Sequence, residues 1–144
     1  MPTSALLSAP GESPTRTQDM FHAAAELMVA KGYGRTSIGD IAQAVGMTRA
    51  GLYHHISGKQ DLLYQILNHA MDELERIVTA PVRLIEDPEE RLRQLMRSQF
   101  HGEVRHGLAF VVLFPEINHL APAQQEKIHG RTREHHALIR ETLR

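Results

Sequence analysis

The chain has 144 residues, enough for one domain or two small ones. Charged residues make up 23% of the chain and apolar residues 42%, which is the composition of a soluble globular protein. The absence of cysteine excludes a disulfide scaffold, a thiolate metal site and a cysteine nucleophile. The longest apolar run, residues 108–114, is too short to span a membrane, and the first fourteen residues hold no basic residue and so do not resemble a secretory signal. We therefore expect a cytoplasmic protein.

The charge is unevenly distributed along the chain. The formal net charge is -1, but residues 14–59 carry five basic and three acidic side chains, which gives that stretch +2 before its histidines are counted. Binding of nucleic acid depends on the local field at the contact surface. The distribution therefore permits an anionic partner near the N-terminus without demonstrating one.

The first predicted helix follows a flexible arm. Residues 1–13 are rich in Pro, Ser, Gly and Ala without a period, which indicates a mobile segment. Ser13 is a candidate N-cap, and Pro14 suits the first helical position. Gly32 after Lys31 ends the helix. Its apolar stripe comprises Met20, Ala24, Leu27 and Met28.

Three further helices are predicted before residue 82. Thr36 and Ser37 open the second, with Asp40 completing a capping-box pattern, and Gly46 ends it. Thr48 caps a short third helix over 49–55, with Leu52 and Ile56 buried. Ser57 caps a long fourth helix, whose apolar residues repeat at helical spacing until Pro81.

The remainder of the chain also has helical patterns. The sequence at residues 87–90 is a helix start, and the inner face of the helix that follows comprises Leu92, Leu95, Met96, Gln99 and Phe100. Gly102 and Gly107 loosen this helix, Pro115 kinks or ends the apolar segment 108–114, and Pro122 starts a last polar helix. No alternating run indicates a sheet. The predicted fold class is all-α.

Residues 36–59 carry the most informative motif. Two short helices joined by Gly46-Met47-Thr48 have the spacing of a helix-turn-helix. Ala42 is small where the helices would cross, and Gly46 supplies the turn. The second helix would then present Arg49, Ala50, Tyr53 and His54 outward, toward base edges and phosphates. A generic helical hairpin explains the Ala42–Gly46 pair equally well, so the flanking residues decide between the two.

The helix-turn-helix together with the residues on either side of it resembles the TetR family of transcriptional regulators, over residues 14 to 65. The matching positions are Ala24-Ala25-Glu26-Leu27, Lys31-Gly32-Tyr33, Thr36-Ser37, Ile41-Ala42, Gly46, Gly51-Leu52-Tyr53, His55 and Lys59. Members of this family bind palindromic operators as homodimers, usually as repressors, and dissociate when a small molecule occupies the C-terminal domain. The resemblance therefore implies a DNA-binding regulator with an N-terminal three-helix domain. The sequence has no Gly-rich phosphate loop, nucleophile elbow or paired-carboxylate motif, so we predict no enzymatic activity and no cofactor.

The resemblance also implies roles for individual residues. Thr36, Ser37 and Thr48 would hold phosphates through hydroxyl and backbone N–H groups, and Lys59 would pair with a phosphate. Arg49 and Gly51 would lie at base edges, beside Ala50. The remaining contacts, with sugar-phosphate and thymine methyls, would come from Tyr53, His54 and His55. Two positions depart from the family pattern: Ile56 stands where Phe is usual, and His54 where Tyr is usual.

The ten histidines suggest an alternative, a metal-binding helical protein or a metalloenzyme. Six lie after residue 100: His101, His106, His119, His129, His135 and His136. Two ligands on one helical face need a spacing of four residues. The pairs His101–His106 and His129–His135 are spaced five and six residues apart, and Glu103 lacks the spacing of a general base. Surface histidines are the simpler interpretation, and we predict no metal site.

The second part is expected to bind a small molecule and to dimerise. Its apolar residues are bundle core or the lining of a ligand cavity, the candidates being Met71, Met96, Phe100, Phe110, Phe114 and Asn118. The stretch 114–122 is similar to the ligand domain of TetR-type repressors of fatty-acid and sterol catabolism, which implies a hydrophobic or amphipathic effector such as an acyl-CoA or sterol-CoA thioester.

The predicted organisation is therefore an arm over 1–13, a DNA-binding domain over 14–57, and a ligand-binding and dimerisation region over 58–144. Relatives usually continue with two more helices that form the dimer interface. The second region is therefore expected to be incomplete, and this chain is expected to dimerise poorly.

Overall fold

The computed structural model describes residues 14–101 and 107–143, in which all regular secondary structure is helical. This confirms the predicted all-α class. The helices are α1 (Pro14–Lys31), α2 (Ile38–Val45), α3 (Arg49–Tyr53), α4 (Lys59–Leu74), α5 (Ala80–Arg83), α6 (Pro88–His101), α7 (Gly107–Leu113) and α8 (Pro122–Thr142). A π-helical turn over Glu75–Thr79 joins α4 to α5, and a 3₁₀ segment over Phe114–His119 follows α7.

The chain divides into two compact units, Met1–Leu62 and Leu63–Arg144. In the first unit α1 packs against α2, and α2 packs against α3. Their shared core contains Ala24, Met28, Ile41, Ala42 and Leu52, all buried. The small side chains of Ala24 and Ala42 allow close packing of the helices, and the larger ones fill the space that remains.

Local sequence chemistry fixes the ends of α2. At its start, the Ser37 side chain accepts a hydrogen bond from the Asp40 N–H and the Asp40 carboxylate accepts one from the Ser37 N–H, a reciprocal capping box. At its end, Gly46 has φ 73° and ψ 32°, the left-handed conformation that glycine adopts without steric cost. Both predicted boundaries of this helix are confirmed.

The second unit has its own apolar core. Val78, Val82, Leu95 and Leu138 form a buried cluster, with Leu74 and Ile77 packed against it. These residues come from the π-helical turn and from α4, α5, α6 and α8, so the cluster holds together segments far apart in sequence. No described helix combines the length and the apolar composition that crossing a membrane requires.

Pro81 does not end the fourth helix, as the sequence pattern predicted. The helical path continues through Pro81 to Arg83, preceded by the π-helical turn in which the Ala80 N–H bonds to the Glu75 carbonyl. Proline lacks an N–H, and its ring clashes with the carbonyl four residues earlier, here that of Ile77. A π turn containing Ile77 widens the backbone at this point, which accommodates the ring without breaking the helix.

Three other expectations need correction. Helix α3 ends at Tyr53 instead of residue 55, because the His54 N–H donates to the Gly51 carbonyl and the His55 N–H to the Leu52 carbonyl, each three residues earlier, as in a 3₁₀ turn. Helix α4 begins at Lys59, and the Ser57 N–H donates to the Asp61 carboxylate ahead of it. Met96 does not face inward: half of its surface (51%) is exposed, whereas Leu95 beside it is buried. The predicted Ser13 cap and residues 102–106 lie outside the described part of the chain.

Candidate nucleic-acid interface

Helix α3 has one buried side chain and a largely exposed outer surface. Leu52 is fully buried, whereas Tyr53 is 51% exposed. The predicted contact residues Arg49, Ala50, Tyr53, His54 and His55 are all exposed. This is the arrangement that a recognition helix requires, with one residue anchoring it to the core and its neighbours available to a partner.

Capping contacts hold the start of α3 in place. Thr48 is in the extended conformation, and its hydroxyl oxygen accepts a hydrogen bond from the Gly51 N–H at 2.9 Å. The Met47 N–H donates to the Ala42 carbonyl at 2.9 Å, which closes the turn between α2 and α3. Because the Thr48 hydroxyl acts as the acceptor in its cap, its own hydrogen is chemically able to donate to a phosphate.

The Arg49 side chain extends from the start of α3 to the first turn of α2. A Cβ atom placed on Gly39 would lie 2.5 Å from Arg49 Nη2 and 3.2 Å from both Cζ and Nε. The guanidinium therefore lies against the Cα atom of Gly39. Gly39 was not predicted from the sequence as part of this interface. A signal was available, because glycine is a poor helix former and is unusual within a short helix.

A network of ionic hydrogen bonds surrounds the start of α2. Lys31 Nζ donates to Asp40 Oδ2 at 2.8 Å, and the same oxygen accepts from the Ser37 N–H at 3.1 Å. The Lys31 side chain, followed by the Ser37 backbone, lowers the pKa of Asp40 from 3.8 to about 2. The capping carboxylate therefore stays ionised at neutral pH and links α1 to α2.

We expect the first unit to lose stability in acid through Asp40. A carboxyl group whose pKa is lower in the folded chain stabilises the fold above its unfolded pKa of 3.8, and this contribution disappears as the pH falls toward about 2. Asp40→Asn should therefore weaken the dependence of the urea unfolding midpoint on pH in that range, measured by circular dichroism. If the unfolding midpoint depended equally steeply on pH in both proteins, the acid sensitivity could not be assigned to Asp40.

Thr36 is not available for the phosphate contact predicted from the sequence. Its side chain is 1% exposed, and its hydroxyl donates to the Gly32 carbonyl at 2.7 Å. Its backbone N–H donates to the Tyr33 carbonyl at 3.3 Å. A phosphate oxygen can only accept hydrogen bonds, and both donors of Thr36 are already used. Thr36 instead stabilises the turn between α1 and α2.

Lys59 has an internal contact as well as the predicted role toward DNA. Its ammonium donates to the Tyr33 carbonyl at 2.8 Å and lies 4.4 Å from the centroid of the Tyr33 ring. These contacts connect the start of α4 to the turn after α1. An ammonium carries three N–H donors, so this hydrogen bond leaves capacity for a phosphate.

The second unit contains a polar cavity of about 120 Å³. Thr79 Oγ1 lies 3.4 Å from His135 Nδ1 at its wall, and burial, followed by the charge of His136, lowers the pKa of His135. Arg131 is held by Asp72 at 2.7 Å and by the side chain of Asn68 at 2.8 Å. The lining comprises Met71, Leu74, Glu75, Thr79, Arg83, Arg131, Glu134 and His135.

Of the predicted ligand-contact residues whose side chains the structure describes, Met71 alone lines this cavity. Phe110 and Phe114 are half-buried and pack on each other with ring centroids 5.3 Å apart, and Phe114 meets the His129 ring edge-on at 5.7 Å. Asn118 and Met96 are exposed. The Phe100 side chain lies outside the described part. The sequence missed Thr79, Arg131 and His135, because polar residues on a helix carry no periodic signal of a cavity.

The described residues do not form a metal centre. Within 14–101 and 107–143, no three side chains of the His, Cys, Asp or Glu type are placed to hold a metal ion. The His101 side chain, Glu103 and His106 lie outside the described residues. His129 and His135 both lie on α8, and His135 is positioned next to Thr79.

Two family models match the chain. The model described as bacterial regulatory proteins, tetR family, matches residues 21–66, which include all of α2 and α3. A second, described as the tetracyclin repressor-like C-terminal domain, matches residues 86–144. The first match thus contains the candidate interface, and the second contains α6, α7 and α8.

A curated relative and two solved structures are similar to the chain. The HTH-type transcriptional repressor KstR2 of Mycobacterium tuberculosis (strain ATCC 25618 / H37Rv) is 27% identical over 111 residues. These residues are 77% of this chain and 56% of the relative. The chain therefore spans about half the length of the curated relatives it matches. The structure of AibR in complex with isovaleryl coenzyme A and operator DNA is 34% identical, with a TM-score of 0.73 over 88% of this chain and 69% of that one.

The TetR family transcriptional regulator PfmR from Thermus thermophilus is 31% identical, with a TM-score of 0.74 over 86% of this chain and 68% of that chain. Sequence and fold similarity thus extend together over most of the chain, and the two family models include α3 and the helices α6 to α8. The chain belongs to the TetR family of bacterial regulatory proteins.

Proposed function

We propose that this chain binds a palindromic DNA operator as a homodimer, represses transcription there, and dissociates when a coenzyme A thioester binds. Residues 14–57 bind DNA in this proposal, and residues 58–144 bind the effector and contribute to dimerisation. The observation that carries it is the outer surface of α3: Arg49, Tyr53 and His54 are exposed while Leu52 is fully buried behind them.

The DNA contacts follow from the chemistry of the exposed groups. The planar guanidinium of Arg49 can donate two hydrogen bonds to the acceptors on a guanine edge, and the Tyr53 ring can pack against a sugar or a thymine methyl. Ser37 and Thr48 have hydroxyl groups at the starts of α2 and α3, which suits phosphate binding. Because Arg49 on α3 contacts Gly39 on α2, these two first turns lie side by side.

A selection of genomic fragments by the 144-residue chain tests the DNA-binding proposal, at a protein concentration high enough to populate the dimer that this chain is expected to form only weakly. We expect enriched sites that contain two inverted half-sites about one helical turn apart, roughly 34–36 Å. Their affinity in fluorescence anisotropy should fall steeply with added salt, since binding neutralises phosphates and releases counterions. Enrichment of no sequence would refute the proposal, and enrichment of isolated half-sites would refute the homodimer.

The effector proposal rests on AibR, whose structure contains isovaleryl coenzyme A and operator DNA. In this chain the polar cavity brings apolar Met71 and Leu74 together with Arg131 and His135. A thioester of coenzyme A combines an apolar acyl group with polar and anionic parts. A cavity of about 120 Å³ has room for a short acyl group but not for the whole thioester, so the coenzyme A part would lie outside it.

Isovaleryl coenzyme A is the probe that tests release. We expect it to lower operator affinity by about 5–150-fold, the usual range of coupling between two sites. Release requires tighter binding of the thioester to the DNA-free state, so a ligand that raises the melting temperature without changing operator affinity would contradict the mechanism. Free coenzyme A and isovalerate serve as matched controls, because each carries half of the proposed recognition chemistry.

A further inference from the structure

Gly39 is the second residue of α2, and its Cα surface is covered by the guanidinium of Arg49. A Cβ atom at this position would meet Arg49 Nη2 at 2.5 Å, a separation that real Cβ contacts do not show, and would meet Cζ and Nε at 3.2 Å. Three guanidinium atoms are therefore close to the same point. Any side chain larger than hydrogen at position 39 would displace the Arg49 side chain.

The backbone does not explain why glycine occupies this position. Among the described glycines only Gly32 and Gly46 have positive φ, so residue 39 has a helical conformation that other residues adopt readily. Glycine is also a poor helix former, and alanine would favour α2. The three nearest atoms that a side chain would meet all belong to the guanidinium of Arg49. The absence of a side chain at position 39 thus leaves the space that the Arg49 guanidinium occupies.

We propose that Gly39 is a positioning residue for DNA binding, because it provides the surface on which the Arg49 guanidinium is held ready for the operator. The proposal rests on the proposed function of α3. An arginine side chain has many rotamers, and fixing one of them on binding costs conformational entropy. The contact with Gly39 restricts those rotamers before DNA arrives, so less entropy is lost when the guanidinium binds.

A double-mutant cycle on the operator tests this role. Gly39→Ala should weaken operator affinity in anisotropy by at least about fivefold, the lower end of what a specific arginine contact contributes. In the Arg49→Ala background the same change should have no effect, because no guanidinium remains to be displaced. Unchanged or tighter binding by Gly39→Ala, or equal weakening in both backgrounds, would overturn the proposal. The second result would indicate a direct clash between the new methyl group and DNA.

A measurement without DNA separates this proposal from the proposed function. In ¹H–¹⁵N spectra of the chain, Gly39→Ala should shift the Nε–H resonance of Arg49 more than that of any other arginine. An unshifted Arg49 resonance would overturn the proposal even if operator binding were observed. A different result would refute the proposed function: the unmodified chain binds no operator, although the Arg49 resonance shifts as expected. That result would also remove the role of Gly39 in DNA binding, but it would leave the contact between Gly39 and Arg49 established.

Gly130→Ala on α8 is the matched control. It also replaces a helical glycine by the better helix former, but its new Cβ would meet nothing closer than Arg133 Nη2 at 3.7 Å, an ordinary contact. We expect Gly130→Ala to leave operator affinity within about twofold of the unmodified chain, since no contact is displaced. The melting temperature should not fall in either variant, since in both the nearest atom belongs to the flexible end of an arginine.

Discussion

Replacing Leu52 by alanine is expected to lower the free energy of unfolding of the first unit by about 2–5 kcal/mol. The Leu52 side chain is fully buried on a five-residue helix that has no other buried residue. Its truncation removes apolar contacts and leaves a cavity against α2. A small unit has roughly 5 kcal/mol of stability to lose, so we expect α3 to be poorly ordered and operator binding to disappear.

Tyr53→Ala is the control for this prediction. Tyr53 is adjacent on the same helix but 51% exposed, so its truncation should change the free energy of unfolding by less than about 0.5 kcal/mol. Urea unfolding followed by circular dichroism gives the stability of each variant, and anisotropy gives its operator affinity. Operator binding should disappear in Leu52→Ala, whereas in Tyr53→Ala it should weaken without loss of fold. Equal destabilisation by the two substitutions would show that α3 is not anchored through Leu52.

The features predicted correctly from the sequence depend on contacts between near neighbours. The Ser37–Asp40 capping box, the Thr48 cap and the left-handed Gly46 each span three or four residues, and each requires a specific residue type at a specific spacing. The burial of Leu52 follows from its position in a short helix whose other residues are polar, small or amphipathic. These constraints operate whatever the rest of the chain does, which is why both ends of α2 and the start of α3 could be located in advance.

The features missed from the sequence depend on distant partners. Lys59 contacts Tyr33, which is 26 residues away, and Arg131 contacts Asn68, which is 63 residues away. Spacing along a helix cannot show which residue of another element will come within hydrogen-bonding distance. Thr36 illustrates the same limit, because a hydroxyl at a helix start can face either solvent or the preceding turn, and here the Gly32 carbonyl accepts its hydrogen bond.

The second unit was less predictable for a related reason. The apolar stripe of α6 correctly includes Leu95, but it also suggested an inward orientation for Met96, which is half exposed. A periodic pattern identifies the apolar side of a helix, whereas the arrangement of neighbouring helices decides how much of that side is covered. The polar cavity beside Thr79 and His135 likewise arises where the π-helical turn meets α8. No local pattern in either segment identifies it.

Lys59→Met is expected to reduce both the stability of the first unit and its affinity for DNA. The substitution retains an apolar stem but removes the hydrogen bond to the Tyr33 carbonyl and the cation–π contact with its ring. Losing an ionic hydrogen bond from a partly buried carbonyl should cost about 1–3 kcal/mol in the free energy of unfolding. This part of the effect follows from the internal contacts alone.

The dependence of operator affinity on salt separates the internal role of Lys59 from its proposed contact with DNA. If the ammonium also neutralises a phosphate, Lys59→Met should reduce the steepness of log K against log salt by about 1, uniformly across operator variants. Lys59→Arg keeps the charge and should keep that slope. Arg49→Ala should instead change which bases are preferred, by about 1–3 kcal/mol of discrimination, because its proposed contacts are at base edges. An unchanged salt slope in Lys59→Met, together with the expected loss of stability, would show that Lys59 serves only to connect α4 to the turn after α1.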